Sequence, residues 1–164
     1  MKKLFFTLAL LATMYFQQSR AQDQSIPTSS LLTAYYGIKD ALISSDPNTA
    51  SNQATIFVKN LQAIDMKSLP ANGMNTFMSE KDKLSKDANY IADHKDLAGQ
   101  REHFGALSAN LYTLAKAVEL SPQPIYIDYC PMKKAYWLSS DAAIKNPYFG
   151  NAMLSCGKVT ETLK

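Results

Sequence analysis

The chain carries two cysteines, and each has a methionine close by in sequence, Cys130 with Met132 and Cys156 with Met153. Thiolates and thioethers are soft sulfur donors that favour Cu(I), with Zn(II) as the runner-up metal. In an extended segment, Cys130 and Met132 point to the same side of the backbone. On a helical turn, Met153 and Cys156 share a face. The four sulfurs are therefore candidate ligands of one metal ion, and His103 is a further candidate that would add an imidazole.

The same cysteines support a second interpretation, a disulfide between Cys130 and Cys156. Disulfides form in exported proteins, and two cysteines allow a single bond. This bond would close a loop of about 26 residues and stabilise the fold by roughly 3 kcal/mol. A chain of this length can also build its core without such a bond. The sequence leaves a metal site, a disulfide and a pair of buried thiols open.

The first 21 residues have the pattern of a secretory signal peptide. Lys2 and Lys3 precede an apolar run over residues 4–16 that is too short to span a bilayer, and Ala21 suits the cleavage position. The chain has 17 basic and 14 acidic residues, a net charge of +3, and removal of the signal peptide leaves 14 of each. A near-neutral protein lacks the basic face that nucleic acid requires. We therefore predict an exported protein, periplasmic or otherwise outside the cytoplasm, with no nucleic-acid partner and no stable membrane insertion.

Four later segments carry apolar residues at three- and four-residue spacing, which predicts four amphipathic helices. The predicted helices cover residues 29–44, 47–64, 70–94 and 96–120. Asp46 followed by Pro47 matches an N-cap and a first-turn proline. Residues 22–28 are predicted to be a disordered lead-in. Short links between such helices predict an all-α fold, an up-down four-helix bundle, in one domain over residues 29–164.

The helical pattern stops at a proline-rich link, and the following segment is predicted to be different. Residues 125–129 alternate in a way that indicates extended chain, and a short helix is predicted over residues 151–155. We predict that residues 125–157, which contain both cysteines, form an irregular cap packed on the bundle. The predicted packing residues of this cap are Trp137, Tyr148 and Phe149.

Arg101 falls on the apolar stripe of the fourth predicted helix, where a charge needs a partner. A buried carboxylate or a carbonyl would serve, and Asp128 is the predicted carboxylate. A zinc site of two cysteines and two histidines is disfavoured, because on a continuous helix His94 and His103 would lie on opposite faces, so such a site needs a break in the helix between them. The sequence contains no phosphate-binding glycine loop, His-Glu-x-x-His motif or nucleophile elbow, so we predict that the protein is not an enzyme.

Several short motifs occur together along the chain. They are Leu31-Leu32, Tyr35-Tyr36, Ile38-Lys39-Asp40-Ala41-Leu42, Gln100-Arg101, Tyr129-Cys130-Pro131-Met132, Tyr136-Trp137-Leu138-Ser139, Asn146-Pro147-Tyr148-Phe149-Gly150 and Cys156-Gly157. In this combination the chain resembles the family called domain of unknown function 3347, over about residues 31–157. The resemblance implies an exported bacterial protein, because members of that family are free-standing or fused to periplasmic adaptor subunits of heavy-metal efflux pumps. It also implies handling of copper or a related metal, with any link to an efflux adaptor made in trans.

Two functional hypotheses follow from these observations. In the first, the protein binds Cu(I) through Cys130, Met132, Met153 and Cys156, and buffers copper or hands it to a periplasmic efflux system. In the second, it binds no metal and is a helical interaction module, stabilised by the disulfide, that docks on an envelope partner.

Overall fold

A computed structural model gives the fold of the protein and describes residues 27–164. Within these residues, four α-helices are followed by three β-strands. The elements are α1 (Pro27–Ile43), α2 (Pro47–Ala63), α3 (Ala71–Asp93), α4 (Leu97–Ala117), β1 (Ile125–Cys130), β2 (Ala135–Ser139) and β3 (Lys158–Leu163). The predicted signal peptide lies outside the described residues. Helix α1 begins at Pro27, which is inside the predicted lead-in.

The prediction of four helices is confirmed, and Asp46 is the N-cap of the second helix as predicted; Asp96 is a further cap. Asp46 precedes α2, and its Oδ1 accepts hydrogen bonds from the N–H groups of Asn48 and Thr49, both at 3.0 Å. Asp96 caps α4 by accepting a hydrogen bond from the Gly99 N–H at 2.8 Å. These carboxylates satisfy N–H groups that have no partner within the helix.

Each helix packs against the next one along the chain, and the short links between them make neighbours antiparallel. Gly37 of α1 lies at a close approach to α2, because a Cβ at this position would lie 2.8 Å from Gln53 Cγ. The buried amide of Gln100 joins three helices. Its Nε2 donates to the carbonyl of Pro47 at 3.0 Å and to that of His94 at 2.8 Å. The start of α4 is thereby tied to the start of α2 and the end of α3.

The prediction that the fold is purely α-helical is wrong for the C-terminal part. The three strands form an antiparallel sheet in the order β2-β1-β3, with β1 in the centre. β1 agrees with the extended chain predicted there, whereas β2 and β3 were not predicted. In place of the predicted helix over residues 151–155, a 3₁₀ turn covers Gly150–Ala152. Pairing β3 with β1 joins segments that are far apart in the sequence, and local patterns do not encode such pairing.

The sheet and the helices share one core. β2 packs along α4. The buried apolar side chains of β1 and β2 belong to the same cluster as those of the helices. The segment of residues 140–157, which we call the connecting segment, joins β2 to β3 and contributes the buried Asn146 and Tyr148. No helix within residues 27–164 combines the length and hydrophobicity that crossing a membrane requires.

Candidate metal centre

The two cysteines meet at the end of the sheet. Cys130 is the last residue of β1 and is fully buried, whereas Cys156 lies at the end of the connecting segment and is half-buried. Both are free thiols, and their Sγ atoms are 3.8 Å apart. A disulfide requires a separation of about 2.05 Å. Two sulfurs bound to one tetrahedral metal at about 2.3 Å lie about 3.8 Å apart. The observed separation is too long for a disulfide bond and is compatible with two thiols in contact or with two sulfurs that share one metal ion.

Hydrogen-bond donors surround Cys130 because the chain turns sharply after it. The Lys134 N–H donates to the Cys130 carbonyl at 2.8 Å, which closes the turn, and the Lys133 N–H points at Cys130 Sγ at 3.4 Å. Burial raises the pKa of the Cys130 thiol. Hydrogen bonds from the Lys133 N–H, the Asn146 side chain, the Cys156 thiol and the Met132 N–H outweigh burial and bring the pKa below its usual value.

Cys156 differs from its partner in electrostatics as well as in exposure. Burial, the hydrogen bond with Cys130 and the charge of the Cys130 thiolate raise the pKa of the Cys156 thiol, while the Met132 N–H lowers it slightly. The first proton of the pair is therefore lost from Cys130, and the negative charge resides where the N–H groups converge.

Asn146 organises the connecting segment around the thiols, a role that its place in the Asn146-Pro147-Tyr148-Phe149-Gly150 motif did not indicate. Its Nδ2 donates to the Cys156 carbonyl at 2.6 Å, and its Oδ1 accepts from the Tyr148 N–H at 2.8 Å. Its backbone N–H donates to the Leu154 carbonyl at 2.8 Å. An Asn-Pro dipeptide is typical of a turn, but no local signal indicates that the amide reaches the Cys156 carbonyl.

The methionines lie near the thiols but outside the core. Met132 is 65% exposed and Met153 is 37% exposed. Met132 is not in extended chain as predicted, because β1 ends at Cys130 and Met132 belongs to the turn that follows. Met153 shares a turn with Cys156, whose N–H donates to the Met153 carbonyl at 3.1 Å. Both methionines are therefore much more exposed than Cys130, which is fully buried.

The sequence matches the family model described as Protein of unknown function (DUF3347) over residues 31–123. The chain belongs to this family. The matched residues contain α2, α3, α4 and most of α1, and they end before β1, so both cysteines lie beyond the match. No curated protein matches the chain. No solved structure matches it either.

His103 of this DUF3347 protein makes its contacts with α3. Its Nδ1 lies 2.9 Å from Asp87 Oδ1, and its ring stacks on that of Tyr90 at 3.7 Å between centroids. The opposite face of Tyr90 carries His94, at 4.1 Å. The aromatic ring therefore separates the two histidines. Among residues 27–164, no group of three or more His, Cys, Asp or Glu side chains is arranged to hold a metal.

Arg101 pairs with carbonyls, which was one of the two predicted kinds of partner, and the prediction of Asp128 as its partner is wrong. Its guanidinium donates to the Pro147 carbonyl at 3.0 Å, to the Leu42 carbonyl at 2.9 Å and to Ser45 Oγ at 3.0 Å. These bonds attach the connecting segment to the end of α1. Carbonyl and hydroxyl oxygens can serve in place of a carboxylate because a guanidinium has several donors in a fixed fork, and three acceptors lie within reach of it here.

Asp128 lies instead in the middle of β1, opposite Trp137 of β2. Its side chain is fully buried, and neither carboxylate oxygen has a hydrogen-bond partner among the described residues. Burial raises the pKa of Asp128 to about 6, an effect that the nearby Lys39 reduces and Asp141 increases. In the sheet, Asp128 shares a face with Cys130 two residues later.

The three aromatic residues predicted as packing residues lie between the sheet, α4 and the connecting segment. Trp137 is fully buried and meets the Tyr148 ring edge-on at 6.0 Å between centroids. The Tyr148 hydroxyl donates to the carbonyl of Tyr136 in β2. Phe149 is partly buried against the same core. These contacts hold the connecting segment on the sheet, and thereby hold Cys156 against Cys130.

Proposed function

We propose that this DUF3347 protein is an exported Cu(I)-binding protein, with the thiolates of Cys130 and Cys156 as its metal ligands. The observation that carries the proposal is the 3.8 Å separation of the two Sγ atoms. This separation matches two sulfurs bound to one metal ion, so binding requires little rearrangement of the backbone.

The donor types favour Cu(I) over Zn(II). Structural zinc sites take four nitrogen or sulfur ligands, commonly histidine or cysteine. Near the thiol pair, the additional donors are the thioethers of Met132 and Met153, which are soft ligands that select Cu(I). We leave His103 out of the proposed ligand set, because it is engaged by Asp87 and Tyr90.

The unequal burial of the ligands suggests how the ion enters and leaves. Cys130 is the buried anchor whose negative charge is stabilised by N–H groups of the turn. Cys156 is half-buried, and Met132 and Met153 are exposed. A copper ion bound to Cys130 would therefore keep one side open to the thioethers and to a partner that exchanges it.

We further propose that the partner is the periplasmic adaptor of a heavy-metal efflux system, acting in trans. The surface next to the thiols offers a place for a partner to bind. Met132, Met153 and Leu154 expose apolar surface there. A groove of about 320 Å³ also lies between α4 and the β1–β2 hairpin, with Lys133, Lys134 and Tyr136 among its lining residues. Export through the predicted signal peptide would bring the protein to the same compartment.

The 3.8 Å contact also supports a second candidate, because two thiols this close can be oxidised to a disulfide. In that case the protein is a metal-free interaction module, and the bond between β1 and the connecting segment stabilises the surface that docks on an envelope partner.

Native mass spectrometry tests the first proposal. The mature protein is isolated from its own compartment without reductant or chelator, and the expected mass is that of one bound copper with both thiols retained. The apo-protein is then reconstituted with Cu(I) in competition with bicinchoninate. Cys130→Ser and Cys156→Ser are each expected to weaken Cu(I) binding by at least roughly a hundredfold, about 2.7 kcal/mol.

The matched control for these variants is Ser155→Ala, which changes the residue beside Cys156 and leaves both thiols intact. Its affinity for Cu(I) should equal that of the wild type. A metal-free mass that is short of two hydrogens, together with no Cu(I) binding after reduction, contradicts the copper proposal and supports the disulfide module.

A further inference from the structure

We propose that Cys130 and Cys156 also form a thiol–disulfide exchange centre with a fixed polarity. An external thiolate attacks Cys156 of the oxidised pair, and Cys130 leaves as the thiolate. The inference follows from the unequal surroundings of two sulfurs that are in contact. It does not depend on copper binding, because every step involves only the two cysteines and an external thiol or disulfide.

Access decides which sulfur is attacked. Thiol–disulfide exchange requires the incoming thiolate to approach one sulfur along the S–S axis, so that sulfur must be reachable from solvent. Cys130 is 0% exposed and is the last residue of the central strand β1. Cys156 is half-buried, in the irregular stretch between the 3₁₀ turn Gly150–Ala152 and β3. Attack at Cys156 is therefore the accessible route.

Hydrogen bonding decides where the released charge resides. The Lys133 N–H is directed at Cys130 Sγ at 3.4 Å, and the Lys134 N–H closes the same turn by donating to the Cys130 carbonyl at 2.8 Å. Oriented N–H groups in a turn stabilise an anion without further reorganisation. The departing thiolate of Cys130 is thus accepted by donors that are already in position.

The movement required between the two states is small. The Sγ atoms are 3.8 Å apart as free thiols, and a disulfide brings them to about 2.05 Å. The residues just before Cys156 are in a turn, and β3 begins two residues after it. A shift of this size can be taken up there without breaking the β1–β2 ladder.

Each step balances in atoms and electrons. In the first, a thiolate RS⁻ forms a bond to Cys156 Sγ, the Cys130–Cys156 bond breaks, and its electron pair stays on Cys130. In the second, another RS⁻ attacks the sulfur of R in the mixed disulfide, releasing RSSR and the Cys156 thiolate, which takes a proton from water. The pair gains two electrons and two thiols are oxidised. The reverse sequence, with an external disulfide as oxidant, closes the pair.

The exchange centre has a consequence for metal binding that rests on the proposed function. Oxidation removes both thiolate ligands, so the disulfide form releases copper and the reduced form accepts it. Cu(I) loading would then depend on the thiol–disulfide balance of the compartment.

The polarity is tested on the metal-free wild-type protein. The pair is oxidised, treated briefly with limiting reduced glutathione, quenched with acid and digested, and the glutathione adduct is located by peptide mass spectrometry. The adduct is expected on Cys156 in at least tenfold excess over Cys130. Equal adducts, an excess on Cys130, or no reduction by glutathione overturn the proposal. The result is independent of copper, so a failure of metal binding does not affect it.

A second measurement tests Asn146 as a positioning residue. Asn146→Asp keeps an oxygen to accept from the Tyr148 N–H but removes the amide donor and places a carboxylate beside Cys130. The equilibrium constant for reduction by glutathione is expected to fall by roughly tenfold or more, because the donor that holds the Cys156 carbonyl at 2.6 Å is lost and the new carboxylate opposes the thiolate charge that reduction creates. Ser155→Ala, which leaves both thiols and the donors intact, should keep the wild-type constant. An unchanged constant in folded Asn146→Asp contradicts the role of Asn146.

Discussion

The buried hydroxyl of Tyr35 in α1 accepts a hydrogen bond from the Leu138 N–H in β2 at 3.0 Å. The same hydroxyl lies 2.7 Å from Ser108 Oγ of α4, to which it can donate its own proton. One phenol therefore connects the first helix, the last helix and the edge strand of the sheet. Burial, followed by the nearby Tyr148, raises the pKa of Tyr35 well above its usual value, so the hydroxyl keeps its proton at physiological pH.

Replacing this phenol tests how much the connection contributes to stability. Tyr35→Phe retains the ring but leaves the Leu138 N–H and the Ser108 hydroxyl without their partner, and we expect the free energy of unfolding to fall by about 1–3 kcal/mol. Urea denaturation measures the change. Tyr36→Phe is the control, because the Tyr36 hydroxyl makes no hydrogen bond to the residues that the structure describes, and it should change stability by less than about 0.5 kcal/mol. Equal effects of the two substitutions would argue against the connection.

The buried Asp128 is expected to make the free energy of unfolding depend on pH. Burial raises its pKa from 3.8 to about 6 in the folded state, so between these values the folded protein binds more protons than the unfolded chain. The sign follows from linkage: this group lowers stability as the pH rises from about 4 to about 6, and the loss remains above that range.

Asp128→Asn is expected to remove this slope and to stabilise the protein at pH 7 by about 1 kcal/mol. The gain is smaller than the roughly 3 kcal/mol that two pKa units represent, because the new amide would itself be buried without a partner. Denaturation midpoints between pH 4 and pH 7 test the prediction. Asp93→Asn, at an exposed position, serves as the control and should leave the slope unchanged. A persistent slope in Asp128→Asn would assign it to another group.

Gly150 allows the connecting segment to approach Arg101. Its φ is +54°, a conformation that residues with a side chain rarely adopt, and a Cβ there would lie 2.8 Å from both Arg101 Nη2 and the Ile43 carbonyl. Gly150→Ala should destabilise the protein by about 1–3 kcal/mol. Gly105 of α4 is the matched control, because a Cβ there would make ordinary contacts at 3.7 Å or more. Gly105→Ala should stabilise by about 0.5–1 kcal/mol. Thermal or urea denaturation measures both changes in stability. An unchanged stability of Gly150→Ala would contradict the need for a positive φ at this position.

The methionine ligands are tested separately from the thiols. Met132→Leu combined with Met153→Leu is expected to weaken Cu(I) affinity by roughly tenfold, about 1.4 kcal/mol, because the thioether donors are lost. Stability should change little, since Met132 is 65% and Met153 37% exposed. Met78→Leu in α3 provides the control, because Met78 is 61% exposed and lies outside the cap. If the double variant keeps wild-type affinity, copper binding does not use the methionines.

The prediction of the helices succeeded because their signals are local. The Asp46-Pro47 start of α2 and the Asp96 cap of α4 depend on contacts within one helical turn. The apolar stripes likewise reflect a period of 3.6 residues within each helix. The sheet was not predicted because the pairing of its strands has no local signal. β3 is almost entirely exposed and has no buried stripe, so its strand conformation depends on hydrogen bonds to the distant β1.

Residue types near the site were identified from the sequence, but their partners were not. Arg101 was recognised as a charge that needs a partner, and the structure supplies carbonyls of Leu42 and Pro147 where Asp128 was predicted. Asn146 was noted only as part of the Asn146-Pro147-Tyr148-Phe149-Gly150 motif, because an asparagine before a proline is an ordinary turn residue. Its importance depends on which atoms the fold brings within reach of its amide.

By itself, the sequence determined four amphipathic helices, the Asp46 cap of the second one, an extended segment at residues 125–129 and a pair of sulfur-rich clusters. Each of these depends on residue type and on spacing within a few positions. Only the tertiary structure decided that Cys130 and Cys156, 26 residues apart, lie 3.8 Å from each other, and that one is buried among N–H donors while the other faces solvent. That juxtaposition arises from the packing of the connecting segment on the sheet, and packing between distant segments is a property of the whole chain.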